Sequence, residues 1–166
     1  NTANAYAVSE QLQKSRESME AALAISLEIE DKYMLEYCYL NLGNLMVELE
    51  EWESAEPYFE KSLALGKELN HSKVQGECHL GLGTLLLEIG RIDEAIAHFE
   101  EGLAISEATN TLQNQVKAVK GLARSYEAAG QFEQSSDHYK LLNTLSDSLL
   151  NKDIAEQIAS LNVEYE

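Results

Sequence analysis

A self-match between positions 40 residues apart limits the possible folds of this chain more than any other feature. Leu42-Gly43 recurs as Leu82-Gly83 and, with Ala in place of Gly, as Leu122-Ala123. Trp52 recurs as Ile92 and Phe132, Ala55 as Ala95 and Ser135, and Phe59 as Phe99 and Tyr139. Several unrelated columns sharing one period mark a repeat array, in which each unit buries its apolar face by stacking on its neighbours. The first unit is partial. Thr2-Ala3 aligns with Leu42-Gly43, Tyr6 with Met46, Leu12 with Trp52 and Met19 with Phe59. The division is a partial unit over 1–30, full units over about 31–70, 71–110 and 111–149, and a further segment over 150–166.

Within each unit the apolar residues fall at helical spacing. Tyr39, Leu42, Gly43, Met46 and Leu49 form one stripe, and Trp52, Ala55, Phe59, Ser62 and Leu63 form the next. Each unit therefore reads as two amphipathic helices. Gly90 and Gly130 stand where a helix stop needs a left-handed residue, and Asn70 and Asn110 suit the stops of the second helices. Glu50 occupies the equivalent slot without glycine's freedom. Ser72 and Thr111 are expected to cap the helices that follow. Pro57 is compatible with a helix beginning near Glu53, since first-turn amides have no intrahelical acceptor. The chain is expected to open inside one helix and to start another at about 11–30.

Composition agrees. Apolar residues make up 45% of the 166, enough to bury a core. There is one proline, and good helix formers dominate. The class is all-α, an α-solenoid of antiparallel helix pairs. With 12 basic and 29 acidic side chains the formal charge is −17, the reverse of the footprint that nucleic acid or an anionic membrane requires. Neither is expected as a partner. Cys38 and Cys78 share one slot in successive repeats, too far apart for a disulfide. Two free thiols favour a reducing compartment, so the expected location is cytoplasmic, with a parent protein that could be membrane-anchored. The chain opens at Asn1, without Met and already in repeat phase, and so reads as a piece of a longer protein.

The repeated set Tyr39-x2-Leu42-Gly43-x2-Met46 with Ala55-x3-Phe59, its successors from His79 and Val119, and the final Ser135-x3-Tyr139 resemble the tetratricopeptide repeat. The unit departs from the family's usual 34 residues by its greater length and its lack of a terminal proline, which is similar to a long-helix subtype of bacterial signalling proteins. The stretch from Tyr139 to Glu166 is similar to the end of such arrays in sensor histidine kinases and diguanylate cyclases, where a helix leads to an output domain. Asp153 and Glu156 have the spacing of a capping pair, and Ile154, Ile158, Leu161 and Tyr165 form a heptad-like seam. This segment reads either as a cap folded back over the last repeat or as a helix to a homodimer or output domain.

No catalytic set is present. Gly81-x-Gly83 lacks the third glycine and the strand of a phosphate loop, and no His/Cys cluster has metal-ligand spacing. His79, His98 and His138 are expected to be packed or half-exposed. No metal or cofactor is expected. The resemblance instead puts function on the concave face, lined by the first helix of each unit. One column there runs Asn4, Asn44, Thr84, Arg124, a second Tyr37, Glu77, Lys117, and a third Leu40, Leu80, Lys120, with Asn41 beside them. An Asn amide both donates and accepts, so it can hold a peptide backbone whatever its side chains. Arg124, Lys117 and Lys120 suit a carboxylate. The expected activity is non-catalytic binding of a protein or peptide segment, in the regulatory part of a multidomain bacterial signalling protein. The alternatives are a plain assembly scaffold, or the regulatory region of a larger enzyme such as a histidine kinase or nucleotide cyclase.

Overall fold

A computed structural model describes the backbone of residues 2–164 and the side chains of residues 11–157. Seven helices follow in order: α1 Thr2–Glu28, α2 Lys32–Glu48, α3 Trp52–Glu68, α4 Ser72–Glu88, α5 Ile92–Ala108, α6 Leu112–Ala128 and α7 Phe132–Glu164. The five inner helices each have 17 residues.

The turns set this regularity. Positive φ occurs at Glu30, Glu50, Asn70, Gly90, Asn110 and Gly130, so every twentieth residue is left-handed. At each, the next amide reaches back to the carbonyl five residues earlier, as in Glu51 to Met46 at 2.8 Å, His71 to Gly66 at 2.8 Å and Gln131 to Tyr126 at 2.8 Å. This is the Schellman arrangement, which satisfies carbonyls that the helix end would orphan. Glu50 thus takes the left-handed conformation (φ 59°) although it is not glycine, and Glu30 does the same.

Several local expectations are corrected. Ser72 is the first residue of α4 rather than its cap, and the N-cap His71 makes no side-chain capping bond. Thr111 is the N-cap of α6 but its hydroxyl pairs with that of Thr109 at 3.0 Å. Among α2–α6 only α2 has a side-chain cap, from Asp31 to the amides of Tyr33 and Met34 at 3.0 and 3.1 Å. Pro57 lies inside α3, past the first turn, because the helix starts at Trp52. It leaves the Glu53 carbonyl without its intrahelical amide. Pro57 and Glu53 are both exposed, so water can take that place.

The two ends also differ from the expectation. α1 is one helix from Thr2 to Glu28, with no break before position 11. α7 runs unbroken from Phe132 to Glu164, so Asp153 lies within a helix and does not cap one. Residues 150–157 are all exposed, and among the described residues α7 packs on α6 alone, so no fold-back over the last repeat is seen there.

Consecutive helices pack pairwise through the array. Among the described residues α2 also touches α4 and α4 touches α6, whereas no two odd helices touch. The array therefore curves around the even helices, which form its inner layer. The core is continuous between the layers. Phe59 is completely buried, and a Cβ added to Gly43 or Gly81 would come within 2.8 and 2.4 Å of its ring. Phe99 sits in the same way between Gly83 and Gly121, with approaches of 2.9 and 2.3 Å. Each aromatic thus plugs into its own unit and the next one, and the missing side chains make room for the ring. Burying such a ring contributes about 2–3 kcal/mol.

Candidate functional site

The inner layer encloses a groove of about 470 Å³. Its walls come from three successive even helices: Asn44, Val47 and Glu48 of α2, Glu77, Leu80, Gly81 and Thr84 of α4, and Asn114, Lys117, Lys120, Gly121 and Arg124 of α6, with Phe99 of α5 as part of the floor. Because all the helices repeat the same register, side chains one unit apart stand side by side. This brings Asn44, Thr84 and Arg124 together, and likewise Glu77 with Lys117 and Leu80 with Lys120.

Seven of the eleven groove residues expected from the sequence line this groove: Asn44, Glu77, Leu80, Thr84, Lys117, Lys120 and Arg124. Leu40 does not, being only 2% exposed and part of the core. Asn41 is exposed but lies off the groove lining. Tyr37 is exposed as well, and its ring packs edge-on against His71 with centroids 5.6 Å apart. Partial burial and the charges of Glu36 and Glu77 raise its pKa. The side chain of Asn4 lies outside the described residues, as do those of Ile158, Leu161 and Tyr165 in the proposed seam. Ile154 of that seam is exposed.

Polar groups in the groove differ in how far they are already committed. The Thr84 hydroxyl donates to the Leu80 carbonyl at 2.9 Å. Arg124 donates to Glu88 at 2.9 Å, tying α6 to α4. Lys117 and Lys120 are exposed and have no ion pair among the described residues. The α6 wall therefore carries the cations, while Glu48 of α2 and Glu77 of α4 add carboxylates to the lining.

Val47, Glu48, Phe99 and Asn114 line the groove without having been singled out as groove residues in the sequence. Asn114 had a signal. Its column reads Met34, Val74, Asn114, so an amide replaces an apolar side chain, and it is 6% exposed. Phe99 had one too, in the glycines at 83 and 121 that admit its ring.

A second polar cluster lies outside the groove. The side chain of Glu36 is fully buried, with Oε2 at 2.8 Å from His71 Nδ1 and Oε1 without a hydrogen-bond partner. Gly66 leaves the space that Oε1 occupies. Both cysteines are free, and burial pushes the Cys78 thiol up to about 12, which makes it unreactive at neutral pH. Among the described residues no group of three or more His, Cys, Asp or Glu could hold a metal, and no helix is long and apolar enough to cross a membrane.

The tetratricopeptide repeat family model matches residues 1–68, 36–108 and 76–142, and together these cover most of the chain. The chain belongs to the tetratricopeptide repeat family. Among solved structures it is similar to BtubC (BKLC) from P. vanneervenii, with a TM-score of 0.75 and 22% identity over 84% of this chain. That match spans 58% of the BtubC chain, little more than half its length. It is also similar to the tetratricopeptide repeat domain of Arabidopsis FLU, with a TM-score of 0.67, 24% identity, and coverage of 70% of this chain and 98% of the other. At these identities the likeness is one of fold. No curated protein matches the chain. In the terms of this repeat family α2, α4 and α6 are the first helices of their units, and α3, α5 and α7 the second.

Proposed function

We propose that this tetratricopeptide repeat array is a non-catalytic protein-interaction module that holds an extended, acidic protein segment in the groove of α2, α4 and α6. One observation carries the reading. In a chain of net charge −17, two exposed lysines without ion-pair partners among the described residues, Lys117 and Lys120, stand on one wall of a groove that crosses three helices. Lone cations at a concave surface attract carboxylates and set the direction in which a polar segment lies. Asn44 and Asn114 supply amides that can pair with backbone groups of the segment. Selection from a displayed peptide library tests this, with the wild type compared against Lys117→Glu/Lys120→Glu. Binders rich in Asp and Glu, lost by the folded double variant, are expected. Binders held equally by both proteins contradict the site.

A regulatory role in a multidomain bacterial signalling protein is the finer reading, with residues 1–149 as the array and 150–166 as a helix towards a dimer or output domain. Its support is the resemblance of the C-terminal stretch, together with the exposure of Leu150 (58%) and Ile154 (44%) on α7. Light scattering of the chain with and without residues 150–166 tests the dimer. A larger mass that falls to the monomer on truncation is expected, and a monomer in both cases removes it.

A further inference from the structure

The two helices of the third unit meet through a pair of histidines. His79 of α4 and His98 of α5 approach with their Nδ1 atoms 3.1 Å apart and ring centroids 5.1 Å apart, and both side chains are half-buried. Such a contact is a hydrogen bond only when one Nδ1 carries a proton and the other does not. A proton on the second Nδ1 as well sets two N–H groups facing each other and ends the bond, and once each imidazole has taken up a proton the contact joins two cations.

The neighbouring unit shows what the slot is like without this chemistry. There the equivalent residues are Tyr39 and Tyr58, with centroids 6.2 Å apart, and Lys61 lies 5.4 and 5.9 Å from the two rings. One repeat on, the position of Lys61 is taken by Glu101. The second unit thus presents two aromatic faces to a fixed cation, and the third presents two bases and a carboxylate.

The charged groups around the pair are Glu56 and Lys67 of α3, Arg91 of the α4–α5 turn, and Glu94 and Glu101 of α5. Arg91 bridges Glu56 at 3.0 Å and Glu94 at 2.6 Å, which leaves Glu101 as the carboxylate without an ion pair among the described residues. Burial lowers the pKa of both imidazoles, and His98 and Lys67 lower that of His79 further, against the pull of Glu101. For His98 burial is opposed mainly by Glu94.

We propose that the His79–His98 pair is a proton-operated latch between α4 and α5, closed while one proton lies between the rings and opened when a second one arrives from solvent. His79 is followed directly by Leu80, and Glu77 and Thr84 lie on the same helix, so loosening α4 moves one wall of the groove. The link to binding rests on the groove reading, whereas the latch itself does not.

Unfolded histidines titrate at about 6.5 and these two titrate lower when folded, so the folded state binds fewer protons. The latch's contribution to stability is complete above that range and is lost as pH falls through the lowered folded values. The test is an assigned imidazole nitrogen NMR titration in chelator-treated buffer from about pH 8 to about pH 4.5. It is paired with thermal unfolding of the wild type and of His79→Tyr/His98→Tyr, which copies the neighbouring unit. At high pH one Nδ1 should be protonated and the other bare. The rings should titrate together, and the amides of residues 77–84 should shift over the same interval. The wild type should lose thermal midpoint on acidification, and most of that loss should be absent in the variant. Two independent Nε2–H rings, or unmoved α4 amides, would overturn the latch, and the wild-type titration decides this even if the variant does not fold. A working latch in a protein whose acidic peptides ignore Lys117→Glu/Lys120→Glu would keep the latch and remove the groove.

Discussion

At the scale of single residues the array depends on small side chains beside large ones. Gly121 admits the Phe99 ring so closely that an added Cβ would lie 2.3 Å from it. Gly121→Ala is expected to cost about 1–3 kcal/mol through overpacking, read as a lower denaturation midpoint in urea. Glu50 presents the opposite case, a side chain where glycine fits better. Its left-handed conformation costs about 1 kcal/mol in a residue with a Cβ, so Glu50→Gly should raise stability by about that amount in the same assay. The Phe and Gly columns were legible because their identities repeat every 40 residues. The conformation of Glu50 was not legible from residue type, since glutamate has no preference for positive φ. It follows from position, twenty residues from the turns on either side. Glu36 was hidden for a related reason. Its column continues as Gly76 and Val116, and only the packed structure shows a carboxylate fully enclosed beside His71.

At the scale of elements, the inner helices were readable from periodicity and the two ends were not. The turn at Glu50 has a counterpart at position 10, yet α1 passes through it as helix, and α7 passes through Asp153 in the same way. Inside the array a turn is enforced because both flanking helices pack on neighbours. At the ends that constraint is lost, and helix propensity continues the helix. Pro57 is a defect that packing overrides. Removing it should restore a backbone hydrogen bond to the Glu53 carbonyl, so Pro57→Ala is expected to stabilise the protein by about 1–3 kcal/mol in chemical denaturation. A destabilising result would mean that the ring's φ restriction of the unfolded chain outweighs the lost bond.

At the scale of the whole molecule, charge is the dominant feature. A net charge of −17 on 166 residues repels itself, and the exposed carboxylates are only partly answered by bridges such as Arg16–Glu51 at 2.9 Å and Arg124–Glu88 at 2.9 Å. Added sodium chloride should therefore raise the thermal midpoint, because screening weakens long-range repulsion more than close pairs. A midpoint that falls with salt would mean that the attractive pairs outweigh the repulsion. The same imbalance gives Lys117 and Lys120 their significance, as groove cations without an ion-pair partner among the described residues. The columns of the concave face were legible in the sequence because the superhelix repeats one register. Val47 was not legible, because groove lining depends on curvature, which a single helical unit does not reveal, whereas Asn114 showed as an amide in an otherwise apolar column.

The most direct measurement is hydrogen–deuterium exchange of the full chain, alone and saturated with an acidic peptide taken from the displayed library. Slower exchange is predicted along the groove-facing turns of α2, α4 and α6, including the segments around Asn44, Thr84 and Lys120, with α3 and the distal part of α7 unchanged. Protection on the outer helices or on residues 150–157, with the even helices unaffected, would contradict the account.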